Sequence, residues 1–279
     1  MSKVTVAVGQ MACYTDIAAA CARAEALIAE AAAKGARLIV LPEMMNYVGK
    51  PNPESFEFIP QGPCCTRMAA AAKKHNIWVN LGSIHELDPE APEGKPYNTS
   101  AVFSPKGELV AKYRKLHLSD MQASPGNPIF RESDRVSKGN EIVTVDTEFA
   151  KLGLSICYDL RFPEMFRLMS EAGAKIVCLP ACFNSTTGAA HWEVLLRSIA
   201  VLNHCYVLAS NHCGKKYNGN SVWGHSMIID PWGTPMALAG QEREALLLAE
   251  IDLDYCEELR GRLGCMTNRR LDVYRLDKL

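Results

Sequence analysis

The sequence lacks a clear excess of charge of either sign. Its 279 residues include 30 Lys and Arg against 31 Asp and Glu, and the formal net charge is −1. Without a basic block, the chain is not typical of proteins that bind nucleic acid or an anionic membrane surface. It also lacks an apolar run long enough to cross a bilayer. Because a strand pattern already begins at Val4, we expect neither a signal peptide nor a membrane anchor.

The eleven cysteines lack the spacing of a disulfide framework or a zinc site. Their number is odd, and Cys64 and Cys65 are adjacent, which makes a bond between those two unfavourable. No Cys/His cluster has the ligand spacing of zinc, so no metal is expected. Irregular cysteines are typical of reduced thiols, and we therefore expect a cytoplasmic protein.

The order of predicted elements indicates an α/β fold. With 48% hydrophobic residues, the chain is long enough to bury one large core, and no linker divides it, so we expect a single domain over residues 1–279. Predicted hairpins at 97–114 and 142–156 require antiparallel pairs and exclude a purely parallel sheet. A layered sandwich, with two sheets face to face and helices outside, fits this pattern. Residues 115–140 lack periodicity, which is typical of a functional or a disordered loop.

The residues after strand 151–156 are typical of a nucleophile turn. The apolar run ends at Cys157, and a polar turn leads into a helix whose first turn suits Pro163 and Glu164. A cysteine at such a junction lies beside helix N–H groups, which predicts a lowered thiol pKa and an exposed nucleophile. The alternative is a buried and unreactive core cysteine.

Glu43, Lys115 and Cys157 each stand shortly after a predicted strand. Because functional sites in sheet proteins gather at the carboxyl ends of strands, we expect a carboxylate, an ammonium and a thiol to converge there. Each residue alone is explained as well by a solvated loop position. However, Glu43 follows Leu41-Pro42, and Lys115 has apolar neighbours, so mutual pairing would offset the cost of burying both charges.

Three segments, in this order and spacing, resemble the motifs of the nitrilase superfamily of carbon–nitrogen hydrolases. They are Leu41-Pro42-Glu43, Tyr113-Arg114-Lys115-Leu116-His117-Leu118 and residues 153–164. The resemblance extends from about residue 4 to residue 274. It implies a four-layer αββα sandwich that forms a homodimer or a higher homo-oligomer. It also implies that Glu43, Lys115 and Cys157 are catalytic.

A second glutamate of that superfamily is similar to Glu132, in Phe130-Arg131-Glu132-Ser133, although an exposed loop acid is the alternative. The resemblance implies amide hydrolysis through a thioester on Cys157, with Glu43 as general base and acid. Lys115 and a backbone N–H near Tyr158 would stabilise the oxyanion. Glu132 would orient the amide or Lys115. This chemistry requires no metal and no cofactor.

Within the superfamily the chain is similar to the amidase branch that contains omega-amidase and deaminated-glutathione amidase. The similarity lies in residues 157–162, 183–193 and 223–226. The helix that contains Ile199 and Leu202 departs from the branch, because relatives carry Arg and an acid at these two positions. A lost ion pair replaced by packing, an altered pocket and an altered dimer contact all fit this change.

The predicted substrate is a small amide that bears a carboxylate, such as 2-oxoglutaramate. Arg161, four residues after the nucleophile, is predicted to hold that carboxylate in a two-pronged hydrogen bond, with a structural salt bridge as the alternative. Tyr158 and Thr187 are further substrate-binding candidates, although Thr186 and Thr187 also suit a helix cap. Structural roles are expected for His117, His191 and His225.

Other functions remain open from the sequence. Within the fold, the alternatives are an amidase for deaminated glutathione or for an N-carbamoyl compound, and less readily a nitrilase. An inactive family member that binds a partner is a different class. The intact set of Glu43, Lys115 and Cys157 argues against that class.

Overall fold

The computed structural model describes residues 3–122, 126 and 129–278. Within these ranges, no helix combines the length and apolar character that crossing a membrane requires. The helices are α1 (Ile17–Ala33), α2 (Pro63–His75), α3 (Pro163–Glu171), α4 (Ser185–Asn203) and α5 (Leu253–Leu263). The strands are β1 (Lys3–Ala12), β2 (Leu38–Val40), β3 (Trp78–Asn80), β4 (Ile84–Glu86), β5 (Tyr97–Phe103), β6 (Leu109–Arg114), β7 (Asp120–Met121), β8 (Phe130–Arg131), β9 (Thr144–Asp146), β10 (Lys151–Leu154), β11 (Ile176–Ala181), β12 (Tyr206–Cys213), β13 (Met227–Ile229), β14 (Pro235–Leu238) and β15 (Ala245–Asp252).

One path of paired strands runs through the fold in the order β4-β5-β3-β2-β1-β12-β11-β10-β9. Strand β1 pairs with β2 in parallel and with β15 in antiparallel along most of its length. It meets β12 only where Met11 and Ala12 face His212 and Cys213. The two halves of the path therefore diverge from this junction and fold over each other as two sheets.

The alternation of side-chain direction along β1 explains how the sheets and helices are layered. Val4, Val6 and Val8 contact the apolar residues of β10, β11 and β12 between the two sheets. Ala7 points the other way, into a second apolar cluster with α1 and α2, while α3 and α4 cover the far face of the other sheet. Side chains of a strand alternate between its faces, so one strand contributes to both clusters. The predicted αββα sandwich is confirmed.

The two predicted hairpins are confirmed as the antiparallel pairs β5–β6 and β9–β10. The sequence pattern also predicts a helix over residues 190–203, whereas α4 begins five residues earlier, at Ser185. Its first turn was missed because the Ser-Thr-Thr-Gly segment has no apolar periodicity. Asn184 supplies the missing start signal, since its side chain accepts a hydrogen bond from the Thr187 N–H at 3.1 Å.

The two apolar replacements on α4 lie in different environments. Ile199 is buried in the core between α4 and the sheet, whereas the Leu202 residue is 48% exposed on the outer face of the helix. The packing interpretation therefore holds for Ile199 alone, and Leu202 is placed at a surface.

Candidate active site

The predicted convergence of charged groups is present at one edge of the sandwich. Glu43 comes three residues after β2, and Lys115 comes directly after β6. The Lys115 Nζ lies 2.9 Å from the Glu43 Oε1, and 3.1 and 3.0 Å from the Oε1 and Oε2 of Glu132. Glu43 and Lys115 are 5% and 2% exposed, so this is a buried cluster of one ammonium between two carboxylates.

Glu132 belongs to this cluster although it lies in the aperiodic segment. Its residue is only 9% exposed, which makes the exposed-loop interpretation wrong. The short strands β7 and β8 pair with each other, and Glu132 begins a 3₁₀ turn immediately after β8. The Ser119 N–H donates to the Glu132 Oε2 at 2.7 Å. Part of the long loop therefore folds back to carry a buried carboxylate, and residues 123–125, 127 and 128 lie outside the described residues.

Neutral donors hold the two carboxylates in place. The buried Asn98 side chain on β5 donates from its Nδ2 to the Glu43 Oε1 at 2.9 Å and to the Glu132 Oε1 at 3.3 Å. The other carboxylate oxygen of Glu43 accepts from the Cys182 N–H, just beyond β11, at 2.8 Å. Such charge-assisted bonds orient both carboxylates before a substrate arrives.

The protonation states follow from burial and neighbouring charge. Burial alone favours the neutral acid, yet the Lys115 charge and surrounding hydrogen bonds hold the pKa of the Glu43 carboxyl below its usual value. Burial also opposes the Lys115 ammonium, but the charges of Glu132 and Glu43 raise its pKa well above the usual value. Both groups are therefore ionised at neutral pH.

The Cys157 sulfur lies beside this cluster and is hydrogen-bonded to Glu43. Burial, followed by the negative charge of Glu43, raises the pKa of the Cys157 thiol well above its usual value. The sequence-based expectation of a lowered thiol pKa is therefore wrong, because burial and the adjacent carboxylate outweigh Lys115 and the backbone hydrogen bond from Cys182. The resting thiol carries its proton, and Glu43 is the adjacent base that can remove it.

The backbone at Cys157 adopts a strained conformation where the nucleophile turn begins. Its φ is +47°, in the left-handed region that non-glycine residues seldom adopt, and a 3₁₀ turn over Cys157–Arg161 begins with it. The completely buried Asp159 braces the turn. Its Oδ2 accepts from the Ile156 N–H at 2.8 Å and from the Tyr113 hydroxyl at 2.7 Å.

His117 takes the structural role that was expected for it. Its ring Nδ1 and its backbone N–H lie 2.8 and 3.1 Å from the Asp159 Oδ1. The ring also stacks on Phe162, with the two centroids 3.7 Å apart. His117 therefore adds a further brace to the nucleophile turn.

Arg161 lies at the end of the nucleophile turn among aromatic rings. Its guanidinium carbon is 5.5 Å from the Tyr158 ring centroid and 5.3 Å from that of Phe183. Its Nη1 lies 3.2 Å from the His191 Nδ1, while its buried Nε has no hydrogen-bond partner within the described part of the chain. No carboxylate among the described residues forms a salt bridge with it, so the salt-bridge interpretation is wrong.

Thr187 has a local partner instead. Its hydroxyl lies 3.3 Å from the Asn184 Oδ1, and the same oxygen accepts from the Thr187 N–H. Asn184 is thus the N-cap residue of α4, and Thr187 takes part in the cap as a donor, not as the capping residue that the alternative interpretation predicted.

Sequence reasoning missed several residues that support the site. Asn98 and Asp159 gave no signal, because a single amide or acid inside a strand or turn has no pattern of its own. The sequence pattern predicts a strand over residues 206–210, but β12 extends to Cys213, and His212 lies in the part that was not predicted. The His212 Nε2 lies 2.6 Å from the backbone oxygen of Glu43 and must donate to it, since a carbonyl only accepts.

The chain was compared with known proteins. The family described as carbon-nitrogen hydrolase matches residues 5–261. Omega-amidase NIT2 of Xenopus tropicalis is 42% identical over 258 residues, which cover 92% of this chain and 91% of that protein. Deaminated glutathione amidase of Mus musculus is 39% identical over 89% of this chain and 77% of its own length.

The fold has a counterpart among solved structures. The crystal structure of the C. elegans NitFhit protein superposes with a TM-score of 0.90 at 35% identity, over 99% of this chain and 67% of that one. The match over residues 5–261 includes both glutamates, the lysine and the cysteine of the buried cluster. The protein is thus a member of the carbon-nitrogen hydrolase family and a hydrolase of non-peptide carbon–nitrogen bonds, as the three motifs predicted.

Proposed function

We propose that this protein is an omega-amidase-like enzyme that hydrolyses the terminal amide of small carboxylate-bearing amides, such as 2-oxoglutaramate, to the acid and ammonia. The observation that carries the proposal is the buried Glu43–Lys115–Glu132 cluster beside the strained Cys157. The similarity to omega-amidases over nine-tenths of the chain supports the choice of substrate class.

Acylation uses the resting charges of the site. Glu43 removes the Cys157 proton as the sulfur attacks the amide carbon, and a tetrahedral intermediate forms. Its oxyanion accepts hydrogen bonds from the Lys115 ammonium and from the N–H of Tyr158, the second residue of the 3₁₀ turn. A single such donor contributes about 10²–10³ in rate. Glu43 then returns the proton to the departing nitrogen, and ammonia leaves a thioester on Cys157.

Deacylation repeats the same proton transfers with water. Glu43 removes a proton from the water that attacks the thioester carbonyl, and the Cys157 sulfur leaves and regains a proton. Glu132 keeps Lys115 in place throughout, because both of its oxygens lie within 3.1 Å of the lysine Nζ. No step requires a metal ion or an organic cofactor.

Arg161 is the proposed carboxylate ligand of the substrate. It has no carboxylate partner within the described residues, and its Nε is buried without a hydrogen bond. The neighbouring Tyr158 ring supports the guanidinium and lines the same space. The Thr187 hydroxyl is already hydrogen-bonded to Asn184, so we propose that Thr187 contributes less to substrate binding than Arg161 does.

Hydrolysis of deaminated glutathione is the second candidate, and the 39% identity to an amidase of that name favours it. Initial rates of ammonia or amine release should be measured for 2-oxoglutaramate, deaminated glutathione, an N-carbamoyl amino acid and a nitrile. The proposal expects 2-oxoglutaramate to have the highest kcat/KM. If deaminated glutathione exceeds it, the second candidate is correct; rapid turnover of the nitrile would contradict both.

The preference for a substrate with a carboxylate can be tested with succinamate and succinamide, which have similar shapes and differ by one charge. A charge-assisted contact is worth about 1.5–3 kcal/mol, or about tenfold to more than a hundredfold in kcat/KM. Arg161→Ala should remove most of the preference for succinamate, and Arg161→Lys should restore only part of it, because an ammonium cannot form a planar pair. Equal slowing of both amides would instead assign Arg161 to the nucleophile turn.

We also propose a homodimer or a multiple of it, formed through the outer face of α4. A cleft of about 510 Å³ lies along this face, and the apolar residues Val194, Val201 and Leu202 on it are exposed. Leu202→Asp should shift the mass measured by light scattering toward the monomer, while Phe58→Asp, an equally exposed apolar position elsewhere, should leave it unchanged. A monomeric wild-type protein at micromolar concentration would contradict this proposal.

Two further proposals concern the chain as a whole. We propose that residues 1–279 form one catalytic domain, since the two sheets share β1 and a common core. We propose that the enzyme works in the cytoplasm, because all eleven cysteines, including the adjacent Cys64 and Cys65, are free thiols.

A further inference from the structure

A second cation, Lys216, lies against Cys182 and within the electrostatic influence of Glu43, and it is not used by the mechanism above. It belongs to the loop between β12 and β13, where its N–H donates to the Asn220 oxygen at 2.9 Å. The Trp223 N–H donates to the Phe183 oxygen at 2.8 Å, and this bond holds the loop against the segment after β11. The loop is therefore fixed beside Cys182, the residue whose N–H binds Glu43.

The partner of the Lys216 ammonium is Cys182 and not a carboxylate. Its Nζ lies 3.5 Å from the backbone oxygen of Cys182, and no carboxylate within the described ranges lies within 4.0 Å of it. The Cys182 sulfur, against the effect of burial and together with Glu43, raises the pKa of Lys216 above its usual value. The side chain is therefore charged and half-buried, and it lies against Cys182 with the Cys182 sulfur, and no carboxylate, as its counter-charge.

The charge of the site explains why such a cation is useful. Glu43 and Glu132 outnumber Lys115 by one negative charge, so the catalytic cluster alone repels a carboxylate. Arg161 and Lys216 approach the same short segment, with Arg161 against the Phe183 ring and Lys216 against the Cys182 carbonyl. Counted with the negative Cys182 sulfur, the two cations offset the negative charges of the site, so an entering carboxylate meets no net repulsion.

We infer that Lys216 is a substrate-binding residue that selects amides carrying a carboxylate, acting beside Arg161. The inference rests on the proposed function, since it assigns a second ligand to the carboxylate of that substrate. Substrate binding replaces the long contact to the Cys182 oxygen with a charge-assisted hydrogen bond from the ammonium. This bond forms in the ground state and the transition state alike, so its loss should appear mainly in KM.

Cys182 is the competing partner of this lysine. The hydrogen bond from the Cys13 thiol lowers the pKa of Cys182 to about 5, so its sulfur attracts the ammonium as well. Cys182→Ala separates the two roles, because alanine keeps the backbone N–H that binds Glu43. If Lys216 binds the substrate, the preference for succinamate over succinamide should remain in Cys182→Ala. If Lys216 interacts only with the Cys182 sulfur, that preference should be lost.

The experiment measures kcat and KM for succinamate and succinamide in the full-length protein. Lys216→Met should lower the succinamate-to-succinamide ratio of kcat/KM by about tenfold to a hundredfold, mainly through the KM of succinamate. Lys216→Arg should keep most of the ratio. Lys215→Met is the matched control, since Lys215 is the exposed neighbour in the same loop, and its ratio should equal that of the wild type.

The outcomes separate this inference from the proposed function. A wild-type enzyme without preference for succinamate would overturn the proposed carboxylate substrate itself. A wild-type preference that survives in Lys216→Met, or that Cys182→Ala abolishes, would overturn the role of Lys216 alone. If Lys216→Met slows both amides equally, the lysine stabilises the loop and does not bind the substrate, which would overturn the inference. If the methionine variant does not fold, the succinamate-to-succinamide ratio of Lys216→Arg is the test: a ratio close to that of the wild type supports the inference, and a lost preference contradicts it.

Discussion

Replacing Lys115 by methionine removes the only cation that contacts both buried carboxylates among the described residues. In the native site its Nζ is 2.9 Å from the Glu43 Oε1 and 3.0 Å from the Glu132 Oε2. Without it, the two carboxylates share one neutral donor, the Asn98 Nδ2, at 2.9 and 3.3 Å. Two like charges in such a site do not both stay ionised, so one takes up a proton.

The size of the effect follows from these contacts. An opposite charge at this distance lowers a carboxyl pKa by about 1–3 units, and its loss returns that shift while burial adds to it. The pKa of Glu43, now held below its usual value, should therefore rise above it. The acidic limb of kcat/KM should move upward by at least about 1–3 pH units. Loss of the oxyanion contact lowers the plateau by a further 10²–10³, as an approximate range.

Stability should change with pH in the matching direction. In the wild type the lowered pKa of Glu43 stabilises the fold above the pKa of the unfolded chain, and this contribution is lost as pH falls through the folded value. In Lys115→Met the raised folded pKa reverses the sign, so the penalty grows as pH rises through it. Breaking a buried pair costs about 3–5 kcal/mol, and we expect this loss near neutral pH and a smaller one under mildly acidic conditions.

The assay combines pH profiles with urea unfolding. Initial rates with succinamide avoid the titration of a substrate carboxylate, and unfolding is compared at neutral and mildly acidic pH. Lys112→Met is the matched control on the same strand: Lys112 is partly exposed and pairs with Glu86, which Arg114 also binds at 2.8 Å. It should lose at most about 1 kcal/mol and keep its pH profile. An acidic limb that stays at the wild-type position in Lys115→Met would refute the reasoning.

Three further variants test single contacts. Cys157→Ala should abolish ammonia release while circular dichroism and the unfolding midpoint stay close to wild type; retained turnover would exclude the thioester. Glu132→Ala should lose most activity although the Cys157 thiol is present, and a near-normal rate would limit Glu132 to a structural part. Asp159→Asn should lower stability by about 1–3 kcal/mol and reduce kcat, because an amide cannot accept all the bonds that brace the turn; an unchanged unfolding midpoint would argue against that brace.

Much of the fold could be predicted because its signals are local. The hairpin expected at residues 97–114 is present as β5–β6, and Pro163 begins α3 in the position that proline favours. The strand pattern that begins at Val4 corresponds to β1. Motif spacing likewise indicated Glu43, Lys115 and Cys157 before any contact between them was known.

Other features depend on contacts between distant parts of the chain. Asn98 binds a carboxylate 55 residues away, and the Cys182 N–H binds Glu43 across 139 residues. The direction of the Cys157 pKa shift also escaped prediction, because the turn at the cysteine predicts a lowered pKa while burial and the adjacent Glu43 raise it. Neither of these last two influences is visible in the residues next to the cysteine.

The chain itself thus determined which residues are candidates for the chemistry, since residue type and position at strand ends can be recognised from neighbouring residues. The tertiary structure alone decided their charge states and partners. Burial sets the energy of an ionised group, and burial is a property of the assembled layers. For the same reason the sequence could not distinguish Ile199, packed against the sheet, from Leu202, exposed on the same helix.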